Sequence, residues 1–124
     1  MSIYVTITRK PNPHWKSGDE IPYEEWREAA LAERDFRPPT SEELVEPFSL
    51  QTDLVWTKHP EHPAVWFSWQ DGQIDVKYLD EITIARMMTL ASKLQAQIIS
   101  EQGERFDTRG RSLGLFPLPN EPHR

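Results

Sequence analysis

The dipeptide Asp71-Gly72, set between two runs of alternating apolar residues, restricts this chain more than any other feature of it. A two-residue turn of this kind takes positive φ at both positions and joins two antiparallel strands in one register. Counting outward from the turn pairs Gln70 with Gln73, Trp69 with Ile74, Ser68 with Asp75 and Phe67 with Val76. Trp66 then faces Lys77, and Val65 faces Tyr78. The pairs Trp69–Ile74, Phe67–Val76 and Val65–Tyr78 share one face and are large and apolar, so that face is expected to be core. Ser68–Asp75 and Trp66–Lys77 share the other. A slip of one residue would turn the whole apolar set to water, so pattern and turn fix each other.

The remaining elements follow from periodicity. Ile3, Val5 and Ile7 alternate with Tyr4, Thr6 and Thr8, a half-buried strand rich in β-branched residues. Pro22 suits the start of a helix, predicted over Tyr23–Arg34 with Tyr23, Trp26, Ala30 and the Arg34 stem on one side. Glu24, Glu25, Glu28 and Ala32 lie on the other. Residues 35–49, with Pro38, Pro39 and Pro47, are read as loop with at most one helical turn at Ser41–Leu44. Leu50–Lys58 reads as a strand with Leu54 and Trp56 on one face, and His59–Pro63 as a proline-broken connection. Asp80 is a credible cap for a helix running to about Gln95, with Ile84, Met87, Met88, Ala91 and Leu94 inward and Arg86 and Lys93 outward. Ala96–Ser100 is expected to be a short last strand. The fold class is therefore α+β, a mainly antiparallel sheet of about five strands with two helices on one face, in the order β-α-β-β-β-α-β. Residues 1–106 form one domain and 107–124 a Pro/Gly-rich tail. Leu113, Leu115, Phe116 and Leu118 are apolar enough that the tail is expected to lie against something.

Composition narrows the chemistry. The 124 residues include no cysteine, which excludes disulfides, Cys-ligated zinc and Cys nucleophiles. Twenty acids against fourteen Lys and Arg leave a formal charge of −6, unsuited to neutralising phosphates, so no nucleic-acid partner is expected. No apolar run approaches the ~18 residues of a membrane span, and the start lacks a secretory apolar region, so the expected address is cytoplasmic. There is no G-x-S-x-G elbow and no glycine-rich phosphate loop. His59-x-x-His62 resembles a ligand pair, but it sits in a broken connection with no identifiable third ligand, and both are read as exposed loop histidines. No catalytic residue, metal or cofactor is expected.

Charge is more informative. Between Asp19 and Glu46 stand ten acids against three arginines, a net −7, while the rest of the chain sums to +1. Asp19, Glu20, Glu24, Glu25, Glu28, Glu42, Glu43 and Glu46 are therefore candidate partner-binding residues, with a plain solvated face as the alternative. Trp66 is placed opposite Lys77, away from Phe67 and Trp69, and Trp56 is a candidate to point the same way. Both tryptophans are candidate interface anchors. Cover of that face by the tail or the 35–49 loop, with Lys77 stacked on the Trp66 indole, is the favoured alternative.

The segments Ile21-Pro22-Tyr23-Glu24-Glu25-Trp26, Trp66 to Lys77 (WFSWQDGQIDVK), Met87 to Ala96 (MMTLASKLQA) and Gln102-Gly103-Glu104, in this order, resemble small cytoplasmic bacterial proteins of polymorphic toxin systems that look like cognate immunity proteins. The shared pattern is an I-x-x-E-E-W helix, a tryptophan-rich strand, a D/N-G-x-I-x-V-K turn and strand, an A-x-x-L-x-A helix and a G-E turn. Pro22 stands where a serine or threonine cap belongs in that pattern. The likeness covers about residues 3–106. It implies a stoichiometric binder of a toxin domain delivered by a secretion system, with no active site of its own. The partner would be a cognate toxin with an electropositive surface. A non-enzymatic regulatory or adaptor domain binding a native host complex, with the tail as a peptide-like arm, is the alternative.

Overall fold

The computed structural model describes residues 3–41 and 53–121. Its elements are β1 (Tyr4–Thr8), α1 (Tyr23–Leu31), β2 (Phe36–Arg37), β3 (Asp53–Trp56), β4 (Val65–Gln70), β5 (Gln73–Lys77), α2 (Glu81–Lys93), β6 (Gln97–Ser100), β7 (Glu104–Phe106) and β8 (Ser112–Leu115). The eight strands form one sheet in the order β2-β3-β4-β5-β1-β6-β7-β8, with every neighbouring pair antiparallel. The class is α+β as expected, but the sheet is wider than five strands.

The β4–β5 register is the one the turn dictates, with Phe67 opposite Val76, Ser68 opposite Asp75, Trp69 opposite Ile74 and Gln70 opposite Gln73. Asp71 and Gly72 have φ of 52° and 78°. Gly72 is required twice over, by its positive φ and because a Cβ there would lie 2.4 Å from Glu20 Cβ; Ile21 N–H donates to its carbonyl.

One sheet face carries Val5, Ile7, Ile74, Val76, Phe67, Leu54 and Ile98 into a single core with Trp26 and Ala30 of α1 and Ile84, Met87, Leu90 and Ala91 of α2. Trp26 stacks on Phe67 with ring centroids 6.0 Å apart and planes within 6°. Phe36 closes on Phe67 edge-on at 5.0 Å. Asp80 caps α2 as expected, its side chain accepting from Thr83 N–H.

Three strands were not anticipated, and each is held by its neighbours more than by its own pattern. β2 is two residues beside Pro38 and Pro39, fixed where Thr57 N–H donates to the Asp35 carbonyl. β7 and β8 form a hairpin at the sheet edge, with a register shift between Arg105 and Phe106 that hides any period-2 signal. The segment read as a tail from 107 thus contributes β8 and then turns back. The Pro119 carbonyl accepts from Asn12 Nδ2 and Trp15 Nε1, and Ser17 Oγ donates to Glu121. The expected start of a strand at Leu50 and most of the Ser41–Leu44 turn lie outside the described residues.

Arg86 does not point outward. Its guanidinium donates to Asp35 Oδ1 at 2.6 Å and lies 5.6 Å from the centroid of the Phe36 ring. Lys93 is exposed as expected and pairs with Glu33 at 3.0 Å.

Phe67→Ala should lower stability in urea denaturation by about 3–5 kcal/mol through the cavity it leaves. Trp66→Ala, on the opposite and half-buried face, should cost clearly less. Equal losses would mean that the second face is packed as tightly as the first.

Candidate functional site

The acidic segment separates into three groups. Glu25 pairs with Arg9, and Glu33 and Asp35 are taken up by Arg86 and Lys93. Glu42, Glu43 and Glu46 lie outside the described residues. Asp19, Glu20, Glu24 and Glu28 are exposed and carry no ion pair among the described residues. They occupy the loop before α1 and its outer side. Neighbouring Arg9 is turned inward: its guanidinium donates to the Leu94 carbonyl at 2.7 Å and also to the Glu20 carbonyl.

The two tryptophans part company. Trp56 sits opposite Val65 on the core side and is 5% exposed, with its indole N–H donating to Asp35 Oδ2 at 2.8 Å. It is a core residue and not a surface anchor, because alternation along β3 puts Leu54 and Trp56 under the helices and Val55 on the other face. Trp66 pairs with Val55 on that other face and is half-buried. The tail, followed to Glu121, does not cover it, and residues 42–49 of the loop expected as the other cover lie outside the described residues. The tail closes on Asn12 and Trp15 instead, and no cation–π contact joins Lys77 to Trp66 among the described residues. The acidic residues of α1 and Trp66 therefore stand on opposite sides of the sheet.

Trp66 belongs to a groove that sequence reasoning did not assemble. Across adjacent strands, Asp53 faces Ser68, Ser68 faces Asp75 and Asp75 faces Thr6. Together with Trp66, Lys77, Tyr4, His62, Ala64 and Leu79, the first three line a groove of about 420 Å³. Its depth comes from Ser68, the small residue between two acids, with the larger Trp66 two positions away on the same face of β4. Asp53 is 2% exposed. Asp75 Oδ1 accepts from Thr6 Oγ1 at 2.8 Å, the one hydrogen bond its carboxylate receives among the described residues. Burial pushes the Asp75 carboxyl above the ordinary carboxylate range; the Thr6 bond opposes this, the negative charges of Asp71 and Glu101 add to it, and His14 opposes it. The hairpin register already placed Ser68, Asp75, Trp66 and Lys77 on one face. Adding Asp53 and Tyr4 required the order of β3, β4, β5 and β1, which no local signal contains.

His59 corrects the expectation of two exposed loop histidines. It is buried, and the third member absent from local sequence is Asp80, with candidate ligand atoms of His59, His62 and Asp80 all within 4.8 Å of one another. Both ring nitrogens of His59 are already engaged. Nδ1 accepts from the backbone N–H groups of Glu61 and His62, which places the proton on Nε2, 2.7 Å from Asp80 Oδ2. A metal on Nε2 would need that proton moved to Nδ1, against two N–H donors. The residues therefore fit a clamp between the 59–63 connection and the start of α2. Burial opposes ionisation of Asp80, but hydrogen bonds from Thr83 N–H, Thr83 Oγ1 and His59 outweigh it and hold the carboxyl below its usual range.

Asp75 gives a pH signature. Because its folded-state value is raised, its contribution to stability is fully present below the ordinary carboxylate value and is lost as pH rises through the raised one. Asp75→Asn keeps an oxygen for Thr6 and removes that loss. The variant should melt above wild type near neutral pH, with the gap closing toward about pH 3. A gap independent of pH would show that ionisation of Asp75 does not burden the fold.

No family model, curated protein or solved structure matches the chain.

Proposed function

We propose that this protein is an immunity protein, which binds a cognate cytosol-acting bacterial toxin domain stoichiometrically and blocks it without chemical turnover. The observation that carries this reading is the set of exposed carboxylates Asp19, Glu20, Glu24 and Glu28, which no cation of the described residues compensates. A toxin acting on nucleic acids or nucleotides needs an electropositive cleft. An opposed field on its inhibitor speeds encounter and disfavours wrong partners. The resemblance carried by the Ile21–Trp26, Trp66–Lys77 and Met87–Ala96 segments points the same way. The adaptor alternative relied on the tail as a free arm, and the contacts of Pro119 and Glu121 with Asn12, Trp15 and Ser17 argue against such an arm.

The test begins with the gene beside this one. If it encodes a large secreted protein, the C-terminal domain of that protein should arrest growth when expressed in the cytosol, and co-expression of this chain should restore it. The purified pair should run as one stoichiometric complex. Rescue by clearly substoichiometric amounts, with the toxin covalently altered, would overturn the reading in favour of an enzyme.

The charge contribution is separable. Glu24→Lys combined with Glu28→Lys should slow association roughly fivefold or more at low ionic strength and flatten its salt dependence. Folding should be nearly intact, since neither residue packs or pairs. Glu25 is left unchanged because its partner Arg9 also ties α1 to the end of α2. An association rate that is unaltered across a salt series would return these residues to a solvated face.

A further inference from the structure

We infer that residues 117–121 are a strap that opens while the rest of the fold stays intact, and that its closed form fixes the Trp15 indole as one wall of a pocket beside the β4–β5 turn. This motion belongs to the free chain and does not depend on which partner the protein binds.

The sequence limits how the strap can be held. Phe116 N–H donates to the Gly103 carbonyl at 3.1 Å, the last backbone–backbone hydrogen bond along the chain among the described residues. Pro117 and Pro119 then carry no N–H, so the segment cannot extend the ladder of β7 and β8. Side chains do the holding instead. The Pro119 carbonyl accepts from Asn12 Nδ2 at 2.8 Å and from Trp15 Nε1 at 3.2 Å, and Ser17 Oγ donates to Glu121 at 2.7 Å. The Lys16 and Ser17 N–H groups and the Lys16 charge also favour the Glu121 carboxylate. Leu118 is half-buried against the turn at Gly103, its Cγ 3.2 Å from where a Gly103 Cβ would stand. The Trp15 and Ser17 bonds are solvent-exposed, so water replaces them at little loss when the strap lifts.

The layer beneath has its own fastenings. Gln73 Nε2 donates to the Pro13 carbonyl and Gln97 Nε2 to the Lys10 carbonyl, each at 2.9 Å. The Lys10 ammonium donates to the Trp15 and Asp71 carbonyls at 3.0 and 3.2 Å. The His14 ring lies 2.7 Å from the Glu101 carbonyl. None of these bonds involves the strap, so the loop from Lys10 to Trp15 keeps its place on the sheet without it.

Trp15 is the residue that the two layers share. Its main chain is held from below, by Lys10 and by its own N–H on the Asn12 carbonyl, and its indole from above by Pro119. With Lys10, His14 and Gln73 it lines a pocket of about 400 Å³. Releasing Pro119 frees the indole to turn about its side-chain bonds while the backbone stays. Strap opening and the width of this pocket are therefore coupled.

Native-state hydrogen exchange of the full chain, followed by NMR at urea concentrations below the unfolding transition, separates the two motions. Exchange of the Trp15 indole N–H is expected to be insensitive to urea, because a local opening exposes little surface. Exchange of the β1 amides, between β5 and β6 inside the sheet, is expected to accelerate with urea as global unfolding takes over. Leu118→Ala should speed Trp15 indole exchange about tenfold, and Ser17→Ala combined with Glu121→Gln about threefold, with β1 exchange unchanged in both. A Trp15 rate that rises with urea as steeply as the β1 rates would show that strap and sheet open together, and would overturn the inference. So would variants that leave the Trp15 rate unaltered, or that speed β1 exchange by the same factor.

Discussion

Phe67 meets Trp26 face to face and Phe36 edge-on, and this three-ring contact joins the hairpin, the first helix and the edge strand in one place. Phe36 also meets Trp26 edge-on at 6.2 Å, so each ring touches both others. Rings of this size dominate the apolar area available to a chain of 124 residues. The contact forms only if the β4–β5 register is the one set by Asp71-Gly72, because a shift of one residue would replace Phe67 by Trp66 or Ser68 under α1. The turn is in turn pressed against the segment before α1, where Ile21 N–H reaches the Gly72 carbonyl and the Trp69 indole N–H reaches the Ile21 carbonyl at 2.8 Å. Turn, helix entry and aromatic cluster thus constrain one another.

A second knot fixes the other end of α1. Asp35 accepts from Arg86 and from the Trp56 indole with its carboxylate and from Thr57 with its carbonyl. A carboxylate with two side-chain donors in a half-buried setting is strongly directional, and losing either partner leaves a polar group exposed to apolar neighbours. This arrangement draws Asp35 and Glu33 out of the acidic run that the sequence presents as continuous. What remains as an outward field is narrower than the count of acids suggests, and it lies at the start of α1 and not along the whole segment.

Local reading reached the parts of the fold where one signal suffices. The hairpin register, the Asp80 cap, the inward faces of both helices and the strand at 97–100 all rest on turn chemistry or periodicity within a short window. It failed where long-range neighbours decide. β2 is two residues held by Asp35 and β3, the bulged β7–β8 hairpin has no clean alternation, and His59 is buried because Asp80, 21 residues on, turns to meet it. Arg86 is pulled inward by Asp35 for the same reason, although its helical position alone points it to water. Trp56 shows the limit most sharply. The alternation of β3 pairs it with Leu54 under the helices, and that period outweighs the general enrichment of tryptophan at interfaces. The groove falls between these cases: most of its residues lie in or beside the hairpin, and Asp53 and Tyr4 arrive only when β3 and β1 take their places in the sheet.

The sheet divides its labour by face. Beneath the helices, Val5, Ile7, Phe67, Ile74 and Val76 are fully or almost fully buried and supply the hydrophobic term. On the far face, the same strands alternate to Thr6, Ser68 and Asp75, with the polar side chains of Thr8 and Gln73 hydrogen-bonded to each other and Gln73 Nε2 donating to the Pro13 carbonyl. The loop from Lys10 to Trp15 thereby covers one end of this face, and at the other Trp66 is half-buried beside the fully buried Val55. Half-burying Asp75 with a single hydrogen bond among the described residues costs stability, since its ionised form is disfavoured there. A sheet face optimised only for folding would place an amide side chain at that position.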